Sequence, residues 1–409
     1  MRTGSRVLII VENLTLPLDR RVWQEATTLR DAGYTVSVIC PVGGRYRAAY
    51  ECLDGIHIFR HPLPFEADGP LGYAIEYSWA LLWEFALCWR VWFKIGFDVI
   101  QACNPPDTIF LIGGFFKYVL GRPFVFDHHD INPELYEAKF GRRDLFHRVL
   151  TWLERMTFRT ADASIATNET FKAIAIDRGG MNPDRVHIVR SIPDLGRFRR
   201  AEPDMDLKAG RKHLVGYVGI MGTQDGVDLL VRAMAEVVHN AGRGDVQCAI
   251  VGSGTELERL KALAGELDVA DHVTFTGFLS GEPLLKALSA FDLGVIPDPK
   301  NVYNDKISMN KVFEYMTLGI PFVAFDLDQT RQTAGSSCLY AKDNSPVDLA
   351  GQILRLVDDR PLAEATRAEG QRRLATELSW EREQAELLAL YERVLEGRTG
   401  LAAVSDQPA

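Results

Sequence analysis

Lys306, Ser308, Met309, Asn310, Lys311 and Glu314 stand close together in the stretch NDKISMNKVFEYMTLGIPFVAF (304–325), and their types suit phosphate and diol chemistry. Val312, Phe313, Met316 and Leu318 recur at helical spacing, and Gly319 with Pro321 ends that helix before the strand-like PFVAF. Ser308 is the expected N-cap. The first turn then reads Met309, Asn310, Lys311, Val312, where a helix usually prefers Asp or Glu against its positive end, and Lys306 lies just before it. Two lysines beside open helix N–H groups are what a phosphate needs. Glu314 follows Asn310 and Lys311 at spacings of four and three, shares their face, and leans towards the N-terminus. Its carboxylate could accept two hydrogen bonds from a sugar diol. A phosphate socket beside a diol acceptor describes a nucleotide-sugar site. A surface helix with an ordinary Lys311–Glu314 pair accounts for the same pattern.

Such a helix needs a sheet to hold it. Two glycine turns precede it: GIMGTQDG (219–226), with Gly219 and Gly222, and GSG (252–254), with Gly252. Each follows a strand-like run, HLVGYVG (213–219) and CAIVGSG (248–254), and each lets backbone amides approach a phosphate. Glycine at such a turn is also an ordinary turn residue. Two on consecutive strands, with the helix later in the same alternation, describe a phosphate-facing rim.

The first half alternates in the same way. RVLIIVE (6–12), a helix over 20–32 and TVSVICP (35–41) open a βαβ unit, and FDVIQACNP (97–105) and PFVFDHHD (123–130) are further strands ending in polar residues. The expected fold class is α/β, with two Rossmann-like, doubly wound parallel-sheet domains facing a central cleft and ligands at the strands' carboxyl ends. His128 and His129 are adjacent, so only one is expected to face a ligand. Residues 194–212, charged and without apolar periodicity, read as an interdomain linker. The expected boundaries are 1–195, 196–379, a final helix 380–396 and a disordered tail 397–409.

Residues 71–97 hold Trp79, Trp83, Trp89 and Trp92, with Glu76, Glu84, Arg90 and Lys94 among them. Those charges leave no run of about 20 apolar residues, so the stretch does not span a bilayer. It reads either as a helix packed between sheet and neighbours or as an interfacial helix.

Of 46 Lys and Arg and 55 Asp and Glu, residues 1–200 hold 25 and 23, leaving 21 and 32 for the rest. The acidic second half and the net charge of −9 argue against nucleic acid as a partner, whereas the first half could meet an anionic membrane. Six scattered cysteines without a CxxC pair read as reduced thiols, and VLIIV, interrupted by Glu12, is too short for a signal peptide. A cytoplasmic protein is expected, with a peripheral contact at the inner leaflet as one reading. No His, Cys or carboxylate cluster has metal-ligand spacing, so no metal or cofactor is expected. Asp204-Asp206 and Asp326-Asp328 read as solvated charge.

In LPLDRRVWQEATTLRDAGYTVSVICP, DHHDINPELY, VGYVGIMGTQDGVDLLVRAMA, AIVGSGTELERL, VTFTGFLSGEPLLKALSAFDLGVIP, SMNKVFEYMTLGIPFVAF and SWEREQAELLALYERVL, in that order, the chain resembles a glycosyltransferase of the GT-B fold, in the retaining family often called family 4. The resemblance runs to about residue 395. It implies transfer of a sugar from a UDP- or GDP-linked donor to a glycan or polyprenyl-linked acceptor in cell-surface polysaccharide synthesis, with retention and without a metal. It places Glu314 at the second position of the family's glutamate pair, on the donor ribose, and Lys306 where the first glutamate stands. It places His129 near the donor sugar, Gly277 and Phe278 at the turn that reads the base, and Asp19, Arg20 and Arg21 on the acceptor side. The family's basic pair in the phosphate turn is missing, since those positions hold Ile220 and Asp225. Lys306, Arg190 or Lys311 is expected to supply the charge. A nucleotide-sugar 2-epimerase of the same architecture, a non-catalytic partner subunit and a lipid-surface binding protein are the alternatives.

Overall fold

The computed structural model describes residues 4–63, 69–192 and 198–405. The chain divides into two compact units, one of residues 1–136, 142–191 and 381–409, the other of 137–141 and 192–380.

The first unit is built on eight strands: β1 (Arg6–Ile10), β2 (Thr35–Pro41), β3 (Tyr50–Leu53), β4 (Ile56–His61), β5 (Val99–Cys103), β6 (Phe124–His128), β7 (Ala163–Ala166) and β8 (Val186–Ile188). They lie in the order β3-β4-β2-β1-β5-β6-β7-β8, parallel throughout except for β3 against β4. The second unit carries β9 (His213–Val218), β10 (Val246–Val251), β11 (Val273–Gly277), β12 (Leu293–Ile296), β13 (Phe322–Phe325) and β14 (Cys338–Ala341). Their order is β11-β10-β9-β12-β13-β14, all parallel. In each sheet the chain leaves the first strand on one side and returns on the other, so the strand order reverses between β1 and β5 and between β9 and β12. Open α/β sheets take ligands at the carboxyl side of such reversals.

The helices in chain order are α1 (Arg20–Asp31), α2 (Gly69–Lys94), α3 (Phe110–Leu120), α4 (Asn132–Phe140), α5 (Leu145–Thr160), α6 (Glu169–Asp177) and α7 (Val227–Ala235). They continue with α8 (Leu257–Glu266), α9 (Glu282–Ala290), α10 (Asn310–Leu318), α11 (Asp328–Ala334), α12 (Pro346–Asp358), α13 (Arg360–Thr376) and α14 (Trp380–Ser405).

The structure departs from the sequence reading at three places and decides between the alternatives at a fourth. The hairpin β3–β4 was missed, although Asp54-Gly55, both at positive φ, joins its strands in a common hairpin turn. The presumed linker is docked over its described part: Phe198 is buried in the core of the second unit, and Arg200 donates to the carbonyls of Leu318 (2.7 Å) and Gly319 (3.2 Å). There a guanidinium satisfies the open C-terminal carbonyls of α10. Residues 193–197 of that stretch lie outside the described residues. The tail expected to be disordered from 397 is helical to Ser405, as the continuation of α14, since adding a residue to a formed helix costs less than starting one. Finally, α2 buries Ala80, Glu84, Leu87, Cys88 and Val91 and sets Trp89 against Phe115 and Phe116, so it is a core helix. It nevertheless leaves Trp79, Leu82, Trp83 and Phe93 exposed.

Candidate functional site

The strand ends of the second unit are crowded by backbone. Gly219 N–H donates to the Val251 carbonyl (3.0 Å), Gly252 N–H to that of Gly277 (3.0 Å), and Met221 N–H to that of Ser253 (3.0 Å). The loops after β9, β10 and β11 are thereby laced together. Gly252 has φ +143°, and a Cβ there would overlap the Gly219 carbonyl oxygen. Only glycine fits that crossing. These three amides are taken up by the loops themselves. Gly222 N–H likewise donates to Asp225 Oδ2 at 2.8 Å, so the turn caps itself. Burial raises the Asp225 carboxyl, against the pull of Lys311.

The loop after β12 closes on the same turn. Asn304 Nδ2 donates to the carbonyls of Gln224 (2.9 Å) and Pro299 (2.9 Å), so the segment leading to α10 is tied to the glycine turn. The helix begins at Asn310 with Met309, not Ser308, at the N-cap. Met309 is buried in the core, which fixes where the chain turns and leaves Ser308 outside. Met309 makes no side-chain cap bond, and no acidic residue stands in the first turn. Asn310 is exposed, Lys306 half-buried and Glu314 buried.

Lys311 differs from its expected part. Its Nζ lies 2.9 Å from Asp298 Oδ2 and 4.9 Å from the centre of the Tyr217 ring. Burial alone would lower its pKa, but Asp298, Tyr217 and Asp225 together hold it raised. The ion pair neutralises its charge beneath the glycine turn. Asp298 was missed, although a polar residue just past the end of β12 is the kind of signal that singled out His129. Phe278, beyond Gly277 at the end of β11, is largely exposed. Asp326 pairs with Arg331 (2.7 Å), Asp328 with Lys300 (3.0 Å), and Asp204 caps a short turn.

In the first unit the strand ends carry a buried polar network. Arg21 Nη2 lies 2.8 Å from Asp127 Oδ1 and 3.3 Å from Glu25 Oε1, and its Nη1 donates to the Val189 carbonyl (2.8 Å) and Ser191 Oγ (3.1 Å). Gln101 Nε2 donates to Glu25 Oε2 (2.8 Å) and Asp127 Oδ2 (3.2 Å), while the Tyr391 hydroxyl of α14 donates to Gln101 Oε1. His129 Nε2 stands 2.6 Å from Asp127 Oδ2 and 3.0 Å from Arg21 Nε. The shorter contact needs a proton between its atoms, and the Asp127 charge raises His129 although burial alone would lower it. Burial and Asp127 together push Glu25 up to about 8, while Arg21 and His129 hold Asp127 well below the usual carboxylate range against its own burial.

Arg21, expected on the acceptor side, is held as a structural cation, and its distant partners Asp127, Val189 and Ser191 were invisible to local sequence reading. Asp19 caps α1 through Val22 N–H (3.0 Å), and Arg20 is exposed. Arg190 belongs to this unit, where Glu383 accepts from its backbone N–H (2.7 Å) and its Nη1 (3.2 Å). That pairing engages the charge that the sequence reading offered to a phosphate. His128 is a core residue among Phe126, Phe158 and Phe171, with Nε2 3.4 Å from Glu154.

One cluster contradicts the expectation from spacing. Ligand atoms of Cys103, Asp127 and His129 lie within 4.8 Å of one another. The Arg21 guanidinium already sits against both Asp127 and His129, where it would repel a metal cation.

Two family patterns cover most of the chain: that described as Glycosyltransferase Family 4 matches residues 18–197, and that described as Glycosyl transferases group 1 matches residues 212–359. The chain is 26% identical over 353 residues to the 2-deoxystreptamine glucosyltransferase of Streptomyces kanamyceticus, covering 83% of this chain and 89% of that one. Its fold is similar to the sucrose-phosphate synthase of Thermosynechococcus elongatus, with a TM-score of 0.76 at 20% identity over 96% of this chain and 100% of the other. It is also similar in fold to Anabaena HepE, solved in complex with UDP, with a TM-score of 0.67 at 14% identity over 97% of this chain and 100% of that one.

Proposed function

The chain belongs to the family 4 type of GT-B glycosyltransferases, and from that premise we propose that it moves a sugar from a nucleoside-diphosphate donor to a glycan or lipid-linked acceptor, with retention at the anomeric carbon. The observation that carries this reading is the start of α10: a helix N-terminus with the apolar Met309 at its N-cap and no acid in its first turn, tied through the loop before it to the glycine turn after β9. Such an end attracts a diphosphate through its amides and the helix dipole. Lys306, in the turn just before it, adds the full charge that the glycine turn lacks and that Lys311 has already given to Asp298.

The chemistry follows from the leaving group. A nucleoside diphosphate departs with growing negative charge on its terminal phosphate, so what lowers the barrier is positive charge fixed in place beforehand. Lys306 and the α10 amides fill that role here without a metal ion. Glu314 holds the ribose diol, and the exposed Phe278 offers the base a face to stack on. UDP and GDP are the donor carriers to test first. His129, fixed against Asp127, serves the donor sugar. The product enters cell-surface glycan, and the acceptor is met at the inner face of a membrane.

Mass spectrometry of products from a panel of UDP- and GDP-sugars with lipid-linked acceptors tests the reaction. Transfer should persist in chelator, whereas loss there with rescue by a divalent cation would overturn the metal-free part. Calorimetry of Glu314→Gln with the active nucleotide tests the site. We expect a loss of about 1.5–3 kcal/mol for a charge-assisted bond. Unchanged affinity would remove Glu314 from it.

A further inference from the structure

Helix α5 has an unusual outer face. Its exposed residues are Leu145, Phe146, Arg148, Val149, Trp152, Arg155 and Arg159, so every one is apolar or arginine. Leu145 is 74% exposed and Trp152 55%. The acid that caps this helix, the one within it and the one just beyond it, Asp162 paired with Lys117, are turned to other work. Asp144 is its N-cap, accepting from Phe146 N–H and His147 N–H, and Glu154 is fully buried against Arg178. Helix α13 shows what an ordinary solvated face looks like, with Glu364 beside Arg360 and none of the large exposed side chains of α5.

The face continues onto its neighbours. Phe110 of α3 stands edge-on to Trp152 with ring centres 6.4 Å apart, and Lys117 Nζ donates to the Thr160 carbonyl at 2.7 Å. Leu111, Tyr118 and Val119 extend the exposed apolar surface along α3, with Tyr118 73% exposed. Phe85 of α2 packs on Phe115 of α3, ring centres 5.0 Å apart. A scattered exposed leucine needs no explanation, but a contiguous apolar face of this extent does.

We propose that the outer face of α5, continued by α3, seats the first unit on an anionic lipid bilayer. The choice of occupant follows from charge. Rings and aliphatic side chains alternating with arginines, and no exposed acid between them, match the boundary between acyl chains and negative headgroups. No helix among the described residues is long and apolar enough to cross a membrane, so the contact is with the surface. The inference rests on the reading of an acceptor met at a membrane. It also moves the contact from residues 71–97, where the tryptophans pointed, to a helix whose sequence holds a single tryptophan.

Cosedimentation of the full chain, without donor, on phosphatidylglycerol–phosphatidylcholine vesicles and on pure phosphatidylcholine vesicles tests it. We expect binding to the anionic vesicles, weakened by high salt, and little to the neutral ones. The double variants Arg148→Glu/Arg155→Glu and Val149→Ser/Trp152→Ser should each lower binding by about tenfold or more. Their melting temperatures and nucleotide affinities should remain those of the parent. Equal binding to both vesicle types, or binding that survives in both variants, overturns the proposal. So does binding lost only on Leu82→Ser/Trp83→Ser in α2, or a dimer that α5 variants dissociate in sedimentation velocity, since the face would then serve a second copy. The two readings fail separately: vesicle binding that follows α5 without sugar transfer sinks only the function, and transfer without vesicle binding sinks only the surface.

Discussion

At the strand ends of the first unit, ionisable side chains are held by one another: Arg21 by Asp127 and Glu25, His129 by Asp127, Gln101 by Tyr391. At the strand ends of the second, loops cross backbone on backbone through Gly219, Gly252 and Gly277, and Lys311 is paired with the buried Asp298. The first arrangement fixes side-chain positions through electrostatics in a dry environment, where each charge depends on its partner. The second fixes a surface of main chain, where close approach matters more than charge. A phosphate can lie against the second without displacing an ion pair. An acceptor contact in the first must either use groups outside the network or compete with it.

The sharpest break is Gly252→Ala. The added methyl meets the Gly219 carbonyl at a positive φ, so we expect a stability loss of about 4 kcal/mol or more and loss of nucleotide binding. Gly265→Ala within α8 is the control, since nothing lies within 4 Å of its Cβ position, and it should gain about 0.5–1 kcal/mol. Urea denaturation reads both, and equal effects would show that the loop crossing is not tight.

Asp127→Ala leaves Arg21 buried without its principal counter-charge. Removing one partner of a buried pair costs about 3–5 kcal/mol, so the same titration should show a loss near the lower end of that range, with Glu25 still present. A loss under about 1 kcal/mol would mean that the network is relaxed in solution.

Lys306→Glu sharpens the comparison from the other side. If the second unit binds phosphate by backbone plus one cation, reversing that cation should weaken nucleotide binding by on the order of 2 kcal/mol, about thirtyfold, with little change in stability. Lys306→Met should lose less. Restored or improved binding on Lys306→Glu would mean that the glutamate position of the family is vacant here by drift.

Smallest, per unit of pH, is a slope of stability with pH. Glu25, pushed up to about 8 by burial and Asp127, keeps a proton in the native state that the unfolded chain releases above its ordinary carboxyl range. The native state then binds more protons, so this contribution to stability is complete at low pH and fades as pH rises towards 8. The slope for one proton is at most about 1.4 kcal/mol per pH unit. Thermal melts from pH 5 to 8 should decline in the parent more steeply than in Glu25→Gln, and parallel curves would remove Glu25 from the titration.

The sheets were legible in the sequence because buried parallel strands leave continuous apolar runs: TVSVICP is β2 residue for residue. The helix α10 was legible for the same reason of period, but its cap was not. Choosing Ser308 weighed local capping chemistry, whereas burial of Met309 in the core decided the start. The charges were read least well. Lys311 and Arg190 look alike in sequence, and only the fold shows each facing its own carboxylate, Asp298 and Glu383. Long-range ion pairs leave no periodic trace, so any reading from local spacing takes a neutralised cation for an available one.

Helix α14 contributes Tyr391 to Gln101, Glu383 to Arg190 and Glu386 to His187. These contacts join residues of the first unit separated by 193 to 290 positions, so a nascent polypeptide that has completed β8 still lacks a wall of its own first unit. During synthesis the entire second unit leaves the ribosome before that wall does. Until then the buried Gln101 carbonyl and the Arg190 backbone N–H wait for partners, and translation that stops after residue 380 yields a chain in which both sheets have all their strands but the first lacks the helix that covers it.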